Sequence, residues 1–168
     1  MYYFELFGIP VSLNVNKADV LKKYYQLSKE FHPDQHSMSS SSTLEKSLDM
    51  SAVINDAKKI LDNPYKRLEY ILKESGTIVE DEKYTLSPQF LGDMMDLNEQ
   101  LMELEFEPNE HTLTAIKNEL ALKEQHLYEQ VKSFFESNEL KLDQSELALL
   151  KDFYYKRKYL QRIAIKLN

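Results

Sequence analysis

Val20-Leu21-Lys22-Lys23-Tyr24-Tyr25-Gln26-Leu27-Ser28-Lys29-Glu30-Phe31-His32-Pro33-Asp34 is the stretch whose reading decides the fold. Val20, Leu21, Tyr24, Leu27 and Phe31 recur at intervals of three and four, which predicts one apolar face of an amphipathic helix. Lys22, Lys23 and Lys29 lie around the rest of its surface and make it locally basic. Pro33 then ends the helix, because its ring disfavours helical geometry at His32 and it has no N–H for the hydrogen-bond ladder. Side chains just past such a stop are held by a rigid element on one side and open to a partner on the other. Taken alone, His32-Pro33-Asp34 is a polar helix stop, since a tripeptide recurs by chance; its surroundings decide.

Upstream, Tyr3-Phe4-Glu5-Leu6-Phe7 is a short apolar stretch closed by Gly8, with Pro10 two residues later, the pattern of a short helix and its ending. Asn16 is placed to cap the helix that begins at Lys17. Downstream, Ser37 to Ser42 is a polar tract too poor in apolar groups to pack. Ser42 and Glu45 have capping-box spacing for a third helix, with apolar positions at Leu44, Leu48, Ala52, Val53, Ala57, Ile60 and Leu61. Asn63-Pro64 interrupts that helix, and Tyr65 to Lys73 resumes it. The pattern predicts two long antiparallel helices joined at an exposed tip and preceded by a short one.

Periodicity lapses from Glu74 to Thr85, where Gly76 and the acidic run Glu80-Asp81-Glu82 stand. This places one domain at 1–75, a linker at 76–86 and a second domain at 87–168. Ser87-Pro88, Asn109, and Asp143 with Glu146 supply caps for three helices, over 88–106, 110–137 and 144–166, expected to form a small bundle. At about 100° per residue, Phe90, Met94, Leu97, Leu101 and Leu104 share one face of the first, which is assigned to the core. Leu91, Met95 and Met102 form a separate strip with Asp96, Glu99 and Glu103 beside it. Apolar residues flanked by carboxylates have the character of an interaction surface, methionine adapting to a partner's shape; the competing reading is a second packing face.

Only three Gly and five Pro in 168 residues, with abundant Leu, Glu and Lys and no strand pattern, argue for an all-α chain. The absence of cysteine removes disulfides, thiolate metal sites and a cysteine nucleophile together. No apolar run approaches the roughly 20 residues that span a bilayer, and the N-terminus lacks the pattern of a secretory signal, so a cytoplasmic protein is expected, with no membrane partner. Residues 1–75 hold ten basic and ten acidic side chains, leaving eleven of the 21 basic and eighteen of the 28 acidic residues to the remainder. The whole net charge of −7 therefore lies in the second half, a poor footprint for nucleic acid.

The stretch from Val20 to Asp34 closely resembles the second helix and loop of a J domain, the module by which co-chaperones engage DnaK-type ATPases. Tyr3 to Ile9 looks like the first J-domain helix, and Ile54-Asn55-Asp56-Ala57 through Leu61-Asp62-Asn63-Pro64-Tyr65-Lys66-Arg67-Leu68-Glu69-Tyr70 looks like the third. An N-terminal J domain followed by a short helical domain, without glycine-rich or cysteine-rich segments, resembles the HscB family, co-chaperones of iron–sulfur cluster assembly. The resemblance implies that His32, Pro33 and Asp34 contact the ATPase domain of a DnaK-type (HscA-like) chaperone and promote ATP hydrolysis. Tyr24 and the lysines at 22, 23 and 29 would belong to the same contact, the lysines steering toward an acidic surface. Tyr25 and Gln26 stand where general J domains place basic residues, which implies a specialised partner. The resemblance also implies that an IscU-like scaffold protein binds Leu91, Met95, Asp96, Glu99 and Glu103, together with Tyr155 of the last helix, which points away from the Leu149, Phe153, Leu160 and Ile163 stripe. Gly92 departs from the family pattern, standing where an apolar side chain is common.

Such a protein is not an enzyme and holds no cofactor or metal. A metal enzyme is the first rival: His32 and His36 are four apart, but Pro33 breaks the helix that would align them, and His111 and His126 add no compact ligand motif. A carboxylate pair of glycosidase type lacks a strand framework to hold it. A helical adaptor, or a general J-domain protein with another client, is the remaining alternative.

Overall fold

The structure is a computed structural model that describes residues 1–32 and 41–167. Pro33, Asp34, His36 and the serine tract to Ser40 lie outside the described residues, as does the side chain of Leu44. Among the described residues there are eight helices and no strand: α1 (Tyr2–Phe7), α2 (Lys17–Glu30), α3 (Ser41–Leu61), α4 (Pro64–Glu74), α5 (Pro88–Phe106), α6 (Glu110–Glu129), α7 (Lys132–Glu136) and α8 (Gln144–Lys166). None of them is long and apolar enough to cross a membrane.

The local signals place most helix starts. Asn16, Asn63, Ser87, Asn109 and Asp143 each accept a hydrogen bond from the first free backbone N–H groups of α2, α4, α5, α6 and α8. Gly8, at φ 64°, closes α1 in the left-handed conformation that a side chain would resist. α3 is the exception: it begins at Ser41, so Ser42 stands inside the helix.

Two compact units result. The first comprises Met1–Ser75 with Phe134–Lys141, and the second Gly76–Ser133 with Leu142–Asn168. In the first, α2 and α3 form an antiparallel hairpin: Tyr24 near the middle of α2 bonds Asn55, whereas Phe31 at its end meets Ser51 and Ser47. Val20 and Leu27 are buried from α2, and Ile54, Ala57 and Leu61 from α3. Leu21, Leu48 and Ala52, which the three-and-four spacing puts on the inner faces, are exposed. Ser47 and Ser51 take the inward positions on α3 because their hydroxyls find an acceptor there, and a serine is invisible to a purely apolar count. Tyr3 stacks on Tyr70 of α4 with ring centroids 4.6 Å apart and gives its backbone N–H to the Tyr70 hydroxyl. Burial, ahead of the opposing effect of that bond, pushes the Tyr70 hydroxyl up to about 12.

Residues Phe134–Lys141 join this unit from far along the chain. Ser12 donates to the Ser137 carbonyl at 2.7 Å, Leu140 N–H donates to the Val11 carbonyl at 3.0 Å, and Phe135 meets the Tyr65 ring. The single helix expected over 110–137 is accordingly broken: α6 stops at Glu129, and the chain leaves the bundle through α7. Arg67 is buried with its guanidinium on the carbonyls of Leu61 and Leu13, so it ties the end of α3 to the α1–α2 connection.

In the second unit α6 packs against both α5 and α8. Met94, Leu97 and Leu101 of α5 and Ile116, Leu120 and Leu127 of α6 are buried with Leu150, Phe153, Leu160 and Ile163 of α8. On α8 the inward residue is Leu150, one position beyond the Leu149 of the expected stripe, which is exposed. The expected linker is part of this unit: Ile78 is buried, and Lys151 of α8 donates to the Thr77 carbonyl and the Glu82 carboxylate.

Candidate functional site

The tip of the α2–α3 hairpin presents His32, which is exposed one residue beyond Phe31, the C-terminal cap of α2. Phe31 N–H donates to Leu27 O at 2.9 Å, and Phe31 O accepts from two side chains of α3, Ser47 Oγ at 2.7 Å and Ser51 Oγ at 2.8 Å. The backbone entering the tripeptide is therefore bonded on both sides of the Phe31 residue. Pro33 and Asp34, the other two members of the expected contact, lie outside the described residues.

Lys22 and Lys29 are exposed and, seven residues apart, lie within about 20° of each other around the α2 axis, with Gln26 between them. Lys23 stands roughly a quarter-turn away and is half-buried. Tyr24 is committed to the hairpin itself: its hydroxyl donates to Asn55 Oδ1 at 2.9 Å and Lys58 Nζ sits 5.4 Å from its ring centre. Lys58 in turn pairs with Asp62, whose hydrogen bond raises the Lys58 pKa above its ordinary value. Tyr25, the neighbour that departs from the general J-domain pattern, is 64% exposed.

On α5 the two faces separate as the helical angles require. Met94 and Leu97 are fully buried, whereas Leu91, Met95 and Met102 are exposed, and Asp96, Glu99 and Glu103 are exposed beside them. One exposed apolar residue escaped the strip as drawn from the sequence: Phe106, 87% exposed. It stands eleven residues past Met95, three turns along, within about 20° of the same azimuth, so its spacing alone carries the signal. Gly92 is exposed on the same side of α5 as the carboxylates, and a Cβ built there meets nothing within 4 Å.

Tyr155 is half-buried, and its partners come from the 76–86 stretch rather than from α5. Its ring stacks on Tyr84, and its hydroxyl donates to Glu82 Oε2 at 3.0 Å. Burial and that bond push the Tyr155 hydroxyl up to about 12. The Lys151 ammonium holds the Glu82 carboxyl below its ordinary value, with the Tyr155 bond acting in the same direction. Tyr84 donates to Asp152 Oδ1 at 3.1 Å and completes the clasp.

A helical unit built on the α2–α3 hairpin, flanked by α1 and α4 and presenting a histidine where α2 ends, joined to a helical bundle with an exposed methionine-bearing face, defines a J-domain protein with a helical second domain. The DnaJ domain family matches residues 2–70, and the family described as the HSCB C-terminal oligomerisation domain matches residues 86–168. Among solved structures, the human co-chaperone protein HscB shares 30% identity at a TM-score of 0.75, covering 99% of this chain and 80% of that one. Chaperone HscB from Vibrio cholerae shares 28% identity at a TM-score of 0.70, covering 99% and 95%. A co-chaperone protein HscB homolog of Vibrio parahaemolyticus is 37% identical over 105 residues, 62% of this chain and 61% of the length of that relative. The chain belongs to the HscB family.

Proposed function

We propose that this protein is a non-enzymatic co-chaperone that stimulates the ATPase of a dedicated DnaK-type (HscA-like) chaperone in the cytoplasm. Its second unit delivers an IscU-like iron–sulfur scaffold protein to that chaperone. The observation that carries the reading is the pairing of two exposed features on one chain: His32 at the tip of a J-type hairpin, and the Leu91, Met95 and Met102 strip beside Asp96, Glu99 and Glu103. Lys22 and Lys29 on one face of α2 supply positive charge toward an acidic surface of the chaperone. For stimulation to follow, the hairpin must bind the hydrolysis-competent state of the ATPase better than the other state, since equal affinity shifts no population.

His32, Pro33 and Asp34 form the chaperone contact in this reading, with Lys23 and Tyr24 supporting it from α2. Leu91, Met95, Asp96, Glu99 and Glu103 form the scaffold contact, and Tyr155 contributes the exposed part of its ring. A single-turnover ATPase assay with an HscA-like chaperone and an IscU-like scaffold, comparing the wild type with His32→Gln, tests the first half. Stimulation lost in the variant supports the reading, and equal stimulation by both removes it. For the second half, Leu91→Ser with Met95→Ser is expected to weaken scaffold binding at unchanged helicity.

A further inference from the structure

The carbonyl of Phe31 accepts from Ser47 Oγ at 2.7 Å and from Ser51 Oγ at 2.8 Å. A carbonyl oxygen has two lone pairs, so two donors from one neighbouring helix engage both. Ser47 and Ser51 are one turn apart on α3, which means the oxygen is held from two points along that helix. Ser47 is nearly inaccessible to solvent, at 3% exposure, and Ser51 is half-buried, so neither hydroxyl is a freely solvated one.

The consequence falls on the next residue. The peptide group is planar, and the Phe31 oxygen shares its plane with the nitrogen and Cα of His32. Holding that oxygen at two points orients the plane and places the His32 Cα. Pro33 then confines the His32 backbone to extended geometry. Little freedom is left to His32 beyond its side-chain torsions. Serine within a helix commonly returns its hydroxyl to its own helix backbone; here two serines point instead at the same acceptor in the partner helix.

We propose that Ser47 and Ser51 are positioning residues for the chaperone contact, orienting His32 through the Phe31 carbonyl. This rests on the function proposed above. A histidine whose Cα is already placed loses less freedom on binding than one whose backbone must be fixed as well, and it is binding to the hydrolysis-competent state that sets stimulation.

The test measures maximal ATPase stimulation and the half-saturating concentration separately, using the full chain with an HscA-like chaperone. The variants are Ser47→Ala with Ser51→Ala, Ser51→Ala alone, Ser51→Thr, and His32→Gln. Thermal melts and the carbonyl carbon resonance of Phe31 are recorded for each. Loss of both hydroxyls is expected to lower stimulation about tenfold and to move the Phe31 resonance, with helicity retained and Ser51→Thr close to wild type. If the double variant fails to fold, the Ser51→Ala and Ser51→Thr pair decides, because threonine keeps a hydroxyl that can donate to the Phe31 carbonyl and alanine does not. Wild-type stimulation by the alanine variants, with His32→Gln inactive, overturns the positioning role and leaves the function standing. A fall in stimulation that merely follows the fall in thermal stability, unrestored by Ser51→Thr, overturns it as well. Wild-type stimulation by His32→Gln removes the function itself.

Discussion

Tyr155 lies flat against Tyr84, ring centroids 4.5 Å apart and planes within 9°, so the aperiodic stretch after the first unit is clasped to α8 by aromatic stacking. Glu82 sits between the Tyr155 hydroxyl and the Lys151 ammonium and accepts from both. The last helix is thus engaged with residues from the very start of its own unit.

The clasp makes stability depend on acid. The Lys151 bond lowers the folded Glu82 carboxyl below 4.5, so the unfolded chain binds its proton first on acidification. The contribution of Glu82 is complete above 4.5 and is lost as pH falls through the lowered folded value. Thermal midpoints of the wild type and Glu82→Gln are expected to differ at neutral pH and to converge in acid. At the other extreme, Tyr155 ionises near 10.0 when unfolded and at about 12 when folded, so its contribution is complete below 10.0 and disappears over that interval. Tyr155→Phe is expected to weaken the alkaline decline, and an unchanged melting profile in both ranges would deny the clasp.

Arg67 should prove indispensable to the first unit. Burial lowers its pKa to about 10, and its guanidinium donates to the Leu61 and Leu13 carbonyls. Arg67→Leu leaves both buried acceptors without their donor, at about 1–3 kcal/mol for each. Urea denaturation is expected to register a loss of about 2–4 kcal/mol, counting partial rehydration. Arg67→Lys is expected to recover little, because an ammonium lacks the planar fork that reaches two separate carbonyls.

The first unit is expected to be incomplete as a fragment of residues 1–75. Ser12, 1% exposed, donates to Ser137 O, and Val11 O accepts from Leu140 N–H. Removing 134–141 strips both bonds and uncovers the site of the Phe135 ring on Tyr65. In the full chain, Ser12→Ala is expected to cost about 1–3 kcal/mol by denaturation, since the Ser137 carbonyl loses its donor. A stability equal to wild type would mean that the carbonyl finds another partner.

On α5, the two faces should separate in experiment. Leu97→Ala empties a fully buried site and is expected to cost about 2–5 kcal/mol, whereas Met95→Ser, at an exposed position, should stay within about 1 kcal/mol of wild type. A Cβ at Gly92 meets nothing within 4 Å, and Gly92→Leu removes a helix-interior glycine, which costs about 0.5–1 kcal/mol relative to alanine. Its thermal midpoint is expected to rise, and calorimetric titration with an IscU-like scaffold should show tighter binding. Unchanged affinity would take Gly92 out of the contact surface.

The hairpin, its tip and the acidic second half were legible because they depend on local rules. Helix caps at Asn16, Asn63, Ser87, Asn109 and Asp143, the end of α2 at Glu30 and the two faces of α5 follow from spacing of three or four residues and from the side chains themselves. The inward face of α3 was not legible. Ser47 and Ser51 are polar, and only the position of the Phe31 carbonyl makes them inner residues.

By itself, then, the sequence determined the helical elements, the J-type hairpin with its histidine and the separate apolar strip, since each is decided within a few turns of one helix. Only the tertiary structure decided that Ser47 and Ser51 hold the Phe31 carbonyl, that residues 134–141 belong to the first unit, and that Tyr155 is taken up by Tyr84 and Glu82. These pairings join groups 16, 20, 73 and 125 positions apart in the chain, and no local period relates such separations. A hydrogen bond is selected by where donor and acceptor meet in space, and that is decided when the helices pack.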